Sequence, residues 1–286
     1  MLVTRSMRWA IALLAASALA QTFSFEPARP LQGEVLKVYG PDAPGSARLN
    51  SKTIRLFPQP DGRSFGLMPV GVLTRPGVYQ LEWLDENGAS IHRESLTVAS
   101  AHFRKQNIVL NQTLSKLHAT PEERSAVAAF LDTVSAERFW HEPLEPPVPG
   151  CLTSPFGVMR LHNGKPTGDY HAGLDQRGAF GSPVHAIAAG TVKIAEPFSL
   201  RGGTVALDHG QGLESIYLHL SRFAVSQGQQ VRQGDVIGYI GSSGRSTGPH
   251  LHWTLYASGE PIDPLQWVKL SPCPATSSIR RGSPSR

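Results

Sequence analysis

The chain has 286 residues, of which 40% are hydrophobic and 17% are charged. This length suggests two domains or one large one, and the composition excludes a single small scaffold and a disordered chain. The net charge of +5 equals the charge of five arginines near the two ends of the chain, so the body between them is near neutral and we expect no nucleic-acid partner. These arginines are Arg5, Arg8, Arg280, Arg281 and Arg286.

The first twenty residues have the pattern of a secretory signal peptide. Two arginines precede an apolar run, Trp9 to Leu14, that continues through alanines to Ala18-Leu19-Ala20. The run is too short and too rich in alanine for a membrane span, and no cysteine follows it as a site for lipid attachment. We expect cleavage after Ala20 and a mature protein that is periplasmic or extracellular and cell-wall associated, with no stable membrane anchor.

Residues 21–100 alternate short β-type runs with turn residues such as Pro76-Gly77. This pattern predicts a small β-sandwich module without the residues of a reactive site. The predicted strands are Glu34–Tyr39, Thr53–Phe57, Ser64–Val70, Val78–Trp83 and Ser90–Val98.

Residues 101–150 are predicted to form a helix followed by a linker. Thr120-Pro121-Glu122-Glu123 has the form of a capping box, and apolar residues then recur at helical spacing, so we expect a helix from about Pro121 to Arg138. The following segment, Glu142 to Gly150, carries four prolines and is expected to run extended. We place a domain boundary near Gly150.

Two short histidine motifs in the C-terminal half suggest a metal site. On an extended chain His171 and Asp175 point the same way, and the strand-like His250-Leu251-His252 puts both imidazoles on one face. Catalytic zinc commonly takes three such ligands and keeps a fourth position for water. Each motif alone occurs often by chance, since a strand histidine is more often satisfied by a hydrogen bond. The combination is much more specific.

Further motifs in order between Ser154 and Val268 resemble those of the lysostaphin-type zinc metalloendopeptidases, which cut peptide bonds in bacterial peptidoglycan. Besides the two histidine motifs, the resemblance rests on Ser154-Pro155-Phe156-Gly157, Pro183-Val184-His185-Ala186, Ala189-Gly190-Thr191-Val192, Tyr217-Leu218-His219-Leu220, Val231 to Gly238 and Gly244 to Pro249.

The resemblance implies a fold, a cofactor and a set of site residues. It implies one Zn²⁺ per chain, held by His171, Asp175 and His252, with His219 and His250 as catalytic histidines that do not bind metal. The fold would be mostly β, with an antiparallel peptidase domain of the barrel-sandwich hybrid type over residues 151–270 and a groove above the metal. A disordered basic tail, 271–286, would follow.

Several alternatives remain open at this stage. His250 is the preferred general base because it lies beside His252, but its role could be exchanged with that of His219. His162, His185 and His209 are expected to be surface or structural residues. A non-catalytic wall-binding regulator that activates another hydrolase is the alternative function.

Two further expectations concern the rest of the chain. The N-terminal module is a candidate to dock on the groove as an inhibitory segment. Cys151 and Cys273, the two cysteines of the chain, bracket the C-terminal half; export favours a disulfide between them over two free thiols.

Overall fold

A computed structural model describes residues 23–41 and 45–274. The predicted signal peptide and most of the predicted tail therefore lie outside the described residues. Within the described ranges, no helix is long and apolar enough to cross a membrane.

The N-terminal module is a seven-stranded antiparallel sheet in the order β1-β2-β5-β4-β3-β6-β7. Each strand predicted from the sequence is present and begins or ends within two residues of the expected position. The strands are β1 Ser24–Glu26, β2 Val35–Pro41, β3 Gly45–Leu49, β4 Lys52–Pro58, β5 Arg63–Pro69, β6 Gly77–Leu84 and β7 Ser90–Val98.

This sheet bends around its own apolar core, as expected of a small sandwich. Alternate residues of both halves are buried together, among them Leu36 on β2, Leu49 on β3 and Leu81 on β6. The indole of Trp83 is also buried and donates a hydrogen bond to the carbonyl of Tyr39 over 2.9 Å. On β6 the buried Leu81 and Trp83 alternate with the more exposed Gln80 and Glu82, which is the period of two that a strand imposes.

The segment that follows contains a strand that the sequence did not predict. β8, Lys105–Ile108, pairs in parallel with β10, Met159–His162, so it joins the sheet structure of the C-terminal half. A short helix α1, Gln112–Ser115, comes next, and the helix α2 spans Pro121–Leu131.

α2 begins as predicted but ends seven residues earlier than Arg138. Thr120 Oγ1 accepts a hydrogen bond from the N–H of Glu123, which is one half of the predicted capping box. After the C-cap Asp132 the chain turns, because Ser135 bonds to the β-hairpin beyond it: its hydroxyl donates to Asp208, and its carbonyl accepts from the N–H of Gln211. These tertiary contacts replace the last helical turns.

The proline-rich segment has no regular structure, as expected, but it is packed and does not separate two independent bodies. Trp140 is fully buried, and its indole donates to the carbonyl of Gly210 over 3.1 Å. Leu144 and Val148 join the same core. From the N-terminal module, Phe65 packs on Trp140 with the ring centroids 6.0 Å apart. One continuous core therefore extends across the predicted boundary near Gly150.

The C-terminal half is built from thirteen strands in three sheets. The largest has the order β18-β14-β15-β16-β20-β12-β9 with β21 on β20, and the small ones are β11-β10-β8 and β13-β19-β17. The strands are β9 Leu152–Ser154, β10 Met159–His162, β11 Lys165–Tyr170, β12 Leu174–Gln176, β13 Pro183–His185, β14 Gly190–Phe198, β15 Gly202–Gly210, β16 Leu213–Leu220, β17 Arg222–Phe223, β18 Gln230–Val231, β19 Val236–Tyr239, β20 Leu251–Ala257 and β21 Glu260–Ile262.

The central strands of the largest sheet are covered on both faces. Tyr217 and Trp253 belong to the main core, whereas Ile194 and Ile216 pack under Phe130 of α2 on the opposite face. The expected mostly β fold, with an antiparallel sheet in the C-terminal half, is therefore confirmed.

The start of the predicted disordered tail is ordered. Cys273 forms a disulfide with Cys151, and its N–H donates to the carbonyl of Leu152 over 2.9 Å. The bridge joins the end of the C-terminal half to its beginning, as favoured from the sequence, so the ordered region extends at least to residue 274.

Candidate active site

Three of the predicted site residues meet where β12 lies beside β20. Asp175 on β12 is paired with His252 on β20, and His171 precedes β12 by three residues. Asp175 Oδ1 lies 2.8 Å from His252 Nδ1 and 3.0 Å from His171 Nε2, and these two nitrogens are 3.0 Å apart. Strand pairing therefore brings together ligand atoms that are 77 and 81 residues apart in sequence.

The hydrogen bonds around these atoms orient them toward one point. His171 is 4% exposed, and its Nδ1 donates to the carbonyl of Pro155 over 2.8 Å, which leaves a lone pair on Nε2. Burial acts to raise the pKa of Asp175, but the neighbouring imidazoles of His171 and His252 outweigh burial and hold the pKa well below the usual range. Two imidazoles and a carboxylate that converge in this way form a site for a cation.

The donor set suits zinc. Nitrogen and carboxylate oxygen bind Zn²⁺ at about 2.0–2.2 Å, and three such bonds leave the fourth tetrahedral position open. The three ligand atoms lie 2.8–3.0 Å from one another. They need to move apart only slightly to surround an ion at these bond lengths. Among the described residues, His171, Asp175 and His252 are the one group of at least three such side chains that could share an ion.

His219 lies at the end of β16 on the same side of the sheet. Its ring centroid is 6.1 Å from that of His252 and 5.1 Å from that of His250. Its Nδ1 donates to the carbonyl of Ser243 over 2.8 Å, and its backbone has a left-handed φ of 61°. Burial, followed by the charges of His252 and His250, lowers the pKa of His219 to about 3. The imidazole is therefore neutral and presents Nε2 as an acceptor.

His250 stands at the edge of the ligand group, just before β20. Its Nδ1 donates to the carbonyl of Gly248 over 2.8 Å, while its Nε2 lies 3.7 Å from Asp175 Oδ1. Like His219, it turns a lone pair toward the ligands. The five predicted site residues therefore all lie in one place.

These residues line a groove of about 580 Å³. The N-terminal sheet, as far as it is described, contributes no lining residue, so the expected docking of that module across the groove is not observed there. The segment after it does contribute, through Gln106, Ile108 and Leu110.

Sequence reasoning missed several polar groups of the groove. Arg160, Arg201 and Arg245 line it, and so does His162, which we expected at the surface or in a structural role. No local spacing links these positions, so the sequence held no signal for them. The expectation for His209 is consistent with the structure: it is fully buried, and its Nδ1 donates to the carbonyl of Ala189.

Comparisons with known proteins agree with this arrangement. The profile of peptidase family M23 matches residues 169–264. The DD-carboxypeptidase/endopeptidase Mpg of Neisseria meningitidis serogroup B is 42% identical over 122 residues, which are 43% of this chain and 28% of that protein. The peptidoglycan DD-endopeptidase ShyA of Vibrio cholerae is 36% identical over 115 residues, 40% of this chain and 27% of that protein. The match therefore spans less than a third of the length of these curated relatives.

A solved structure extends the similarity beyond this region. A Pseudomonas aeruginosa protein, described provisionally as a peptidase M23, is 30% identical with a TM-score of 0.62. The superposition covers 83% of this chain and 94% of that one, so it includes much of the N-terminal half. Because the profile, the sequence relatives and a fold shared over most of both chains agree, the family expected from the motifs is confirmed, and this chain belongs to peptidase family M23.

Proposed function

We propose that the protein is an exported zinc-dependent endopeptidase that hydrolyses peptide bonds in bacterial peptidoglycan. The observation that carries this proposal is the convergence of three ligand atoms within 3.0 Å of one another, flanked by two further imidazoles, in an open groove. An open groove suits an extended peptide, and a three-ligand site with a free position suits hydrolysis.

In this proposal His171, Asp175 and His252 hold one zinc ion per chain. Bound there, zinc would act as a Lewis acid on the scissile carbonyl and lower the pKa of a water molecule toward neutrality. The hydrogen bond from His171 Nδ1 to Pro155 fixes the tautomer in which Nε2 can bind the metal.

His250 is the proposed general base. Its Nδ1–H is held by the carbonyl of Gly248, so Nε2 is free to accept the proton of the attacking water and to donate it later to the leaving amine. His219 is held in the same tautomer by Ser243 and would orient that water by accepting a hydrogen bond at Nε2. The position of His250 Nε2, 3.7 Å from Oδ1 of the proposed zinc ligand Asp175, supports this division of roles.

The proposed substrate rests on the relatives. Those from Neisseria and Vibrio are described as a DD-carboxypeptidase/endopeptidase and a peptidoglycan DD-endopeptidase. Such a substrate lies outside the cytoplasm, which agrees with the predicted signal peptide at residues 1–20 and supports a periplasmic or cell-wall location.

The segment that follows the N-terminal module is proposed to shape the groove, and the module is proposed to support that segment from behind. Segment Lys105–Ile108 is fixed beside β10 by parallel pairing, and its neighbour Leu110 also lines the wall. The module behind it is anchored by Gln266, whose side chain bonds to both the N–H and the carbonyl of Val35.

The test is to incubate the zinc-loaded mature protein with purified peptidoglycan and to identify released fragments by mass spectrometry. A chelated sample and a His250→Ala sample serve as controls. Fragments that disappear in both controls would support the proposal and identify the bond. A folded, zinc-loaded protein that releases no fragments but raises the turnover of another wall hydrolase would instead support the regulatory alternative.

A further inference from the structure

Two guanidinium groups lie at the groove beside the ligand group. Arg160, on β10, has a side chain only 12% exposed; its Nη2 lies 3.9 Å from Asp175 Oδ2. Its Nη1 donates to Gln106 Oε1 over 2.8 Å, so β8 fixes its direction. The second group, Arg245, is half-buried in the loop between β19 and β20, where its N–H donates to the carbonyl of Leu200.

Both guanidinium groups line the same groove, together with His162. Burial lowers the pKa of Arg160; Asp175 opposes this effect, and the charge of Arg245 adds to it. Burial followed by the charges of Arg245 and Arg160 also lowers the pKa of His162, whereas the exposed Asp169 on the rim raises it. Two like charges in one partly buried space are unfavourable without an anion between or beside them.

A third arginine of the groove, Arg201, has its charge balanced by a carboxylate of the protein itself. Arg201 Nη1 lies 2.7 Å from the buried carboxylate of Glu123. In the described ranges, by contrast, no carboxylate lies within 4 Å of the Arg245 guanidinium. Arg160 has only the distant Oδ2 of Asp175, whose Oδ1 faces the two histidines.

We propose that Arg245, together with Arg160, forms a subsite that binds a free carboxylate of the peptide substrate. The guanidinium group offers paired donors that match a carboxylate, and partial burial strengthens the interaction. The proposal rests on the proposed function and adds a substrate class to it.

The position of the subsite limits where the carboxylate can be. Because Arg160 is 3.9 Å from a proposed metal ligand, the carboxylate belongs to a residue next to the scissile bond. Preferred substrates are therefore peptides in which that residue keeps a free carboxyl group, either at a chain end or at a cross-link made through an amine. Uncharged glycine bridges lack such a group and are disfavoured.

The test uses a pair of reduced-amide D-alanyl-D-alanine pseudopeptides, which cannot be hydrolysed. One ends in a carboxylate and the other in a carboxamide. Calorimetry with the zinc-loaded wild-type protein should give about tenfold tighter binding of the acid. Arg245→Gln should remove this preference without weakening the amide, and Arg245→Lys should restore part of it. Arg232→Gln, an exposed arginine away from the groove, should leave it unchanged.

Equal binding of acid and amide to the wild type, or an undiminished preference in Arg245→Gln, would overturn the subsite. The outcome is independent of hydrolysis because the probes are inert. If the protein prefers the acid but releases no peptidoglycan fragments, the subsite is supported and the proposed function is contradicted. If it releases fragments but binds acid and amide equally, the proposed function is supported and the subsite is overturned.

Discussion

The carboxylate of Glu123 holds the loop that carries Arg201. Glu123, on α2, is 1% exposed and accepts hydrogen bonds from the Arg201 guanidinium at 2.7 Å and from the N–H groups of Leu200 and Arg201 at 3.0 and 3.3 Å. The carbonyl of Arg201 then accepts the N–H of His219. A helix outside the family-profile match is therefore linked to a proposed catalytic residue through one loop.

We expect Glu123→Gln to lower kcat on peptidoglycan fragments about tenfold with little change in KM, because a displaced catalytic group slows the reaction. The neutral side chain no longer balances Arg201, so the backbone that positions His219 relaxes. Breaking a buried ion pair should also reduce the free energy of unfolding by about 3 kcal/mol. Assays well below the melting temperature, with exposed Glu122→Gln as control, separate the two effects. Wild-type kcat under those conditions would show that Glu123 stabilises the fold only.

The proposed division between ligands and catalytic histidines predicts different behaviour for two alanine variants. His171→Ala should lose both zinc and activity, because two remaining ligands bind metal weakly. His250→Ala should keep about one zinc per chain and lose at least 100-fold in kcat, because the proton acceptor is gone. Metal analysis by mass spectrometry and a cleavage assay check both variants. Substantial activity in His250→Ala would sink the assignment of the base.

Glu214 makes stability depend on pH. It is fully buried on β16, paired with Asp208 across the sheet, and burial raises its pKa to about 9, with the Asp208 charge adding to the shift. The folded protein therefore holds a proton that the unfolded chain releases near pH 4.5, so this residue reduces stability as pH rises from about 4.5 to 9.

Glu214→Gln should remove that dependence and raise the free energy of unfolding at pH 8 by on the order of 2 kcal/mol. Urea unfolding at pH 5 to 9 measures the slope, with the exposed Glu196→Gln on β14 of the same sheet as control. The same slope in Glu214→Gln as in the wild type would mean that the carboxyl group is ionised in the folded state.

Trp140 joins the N-terminal module to the C-terminal half, since it contacts Phe65 on one side and Trp267, at a centroid distance of 5.4 Å, on the other. Trp140→Ala should therefore cost about 3–5 kcal/mol of unfolding free energy through the cavity it leaves. Chemical denaturation checks this value. The exposed Phe180→Ala should cost far less. A small loss in Trp140→Ala would indicate that the two parts fold independently.

The sequence by itself determined the local structure and the residue set of the site. Short β-type runs separated by turn residues located five of the seven described strands of the N-terminal module, and Thr120 with Pro121 marked the start of α2. The two histidine motifs indicated His171, Asp175, His250 and His252, because such spacing on an extended chain directs side chains to one face, and the family resemblance added His219.

Tertiary structure decided what depends on contacts between distant segments. Residues 133–138 are not helical because their backbone forms hydrogen bonds with the β15–β16 hairpin. The Glu123 carboxylate accepts hydrogen bonds from Leu200 and Arg201 and does not complete the predicted capping box. Arg160 and Arg245 line the same groove although 85 positions separate their residue numbers. Gln106 contacts Arg160 because β8 pairs in parallel with β10. Local periodicity reports which face a side chain occupies, but strand order and register decide which faces meet.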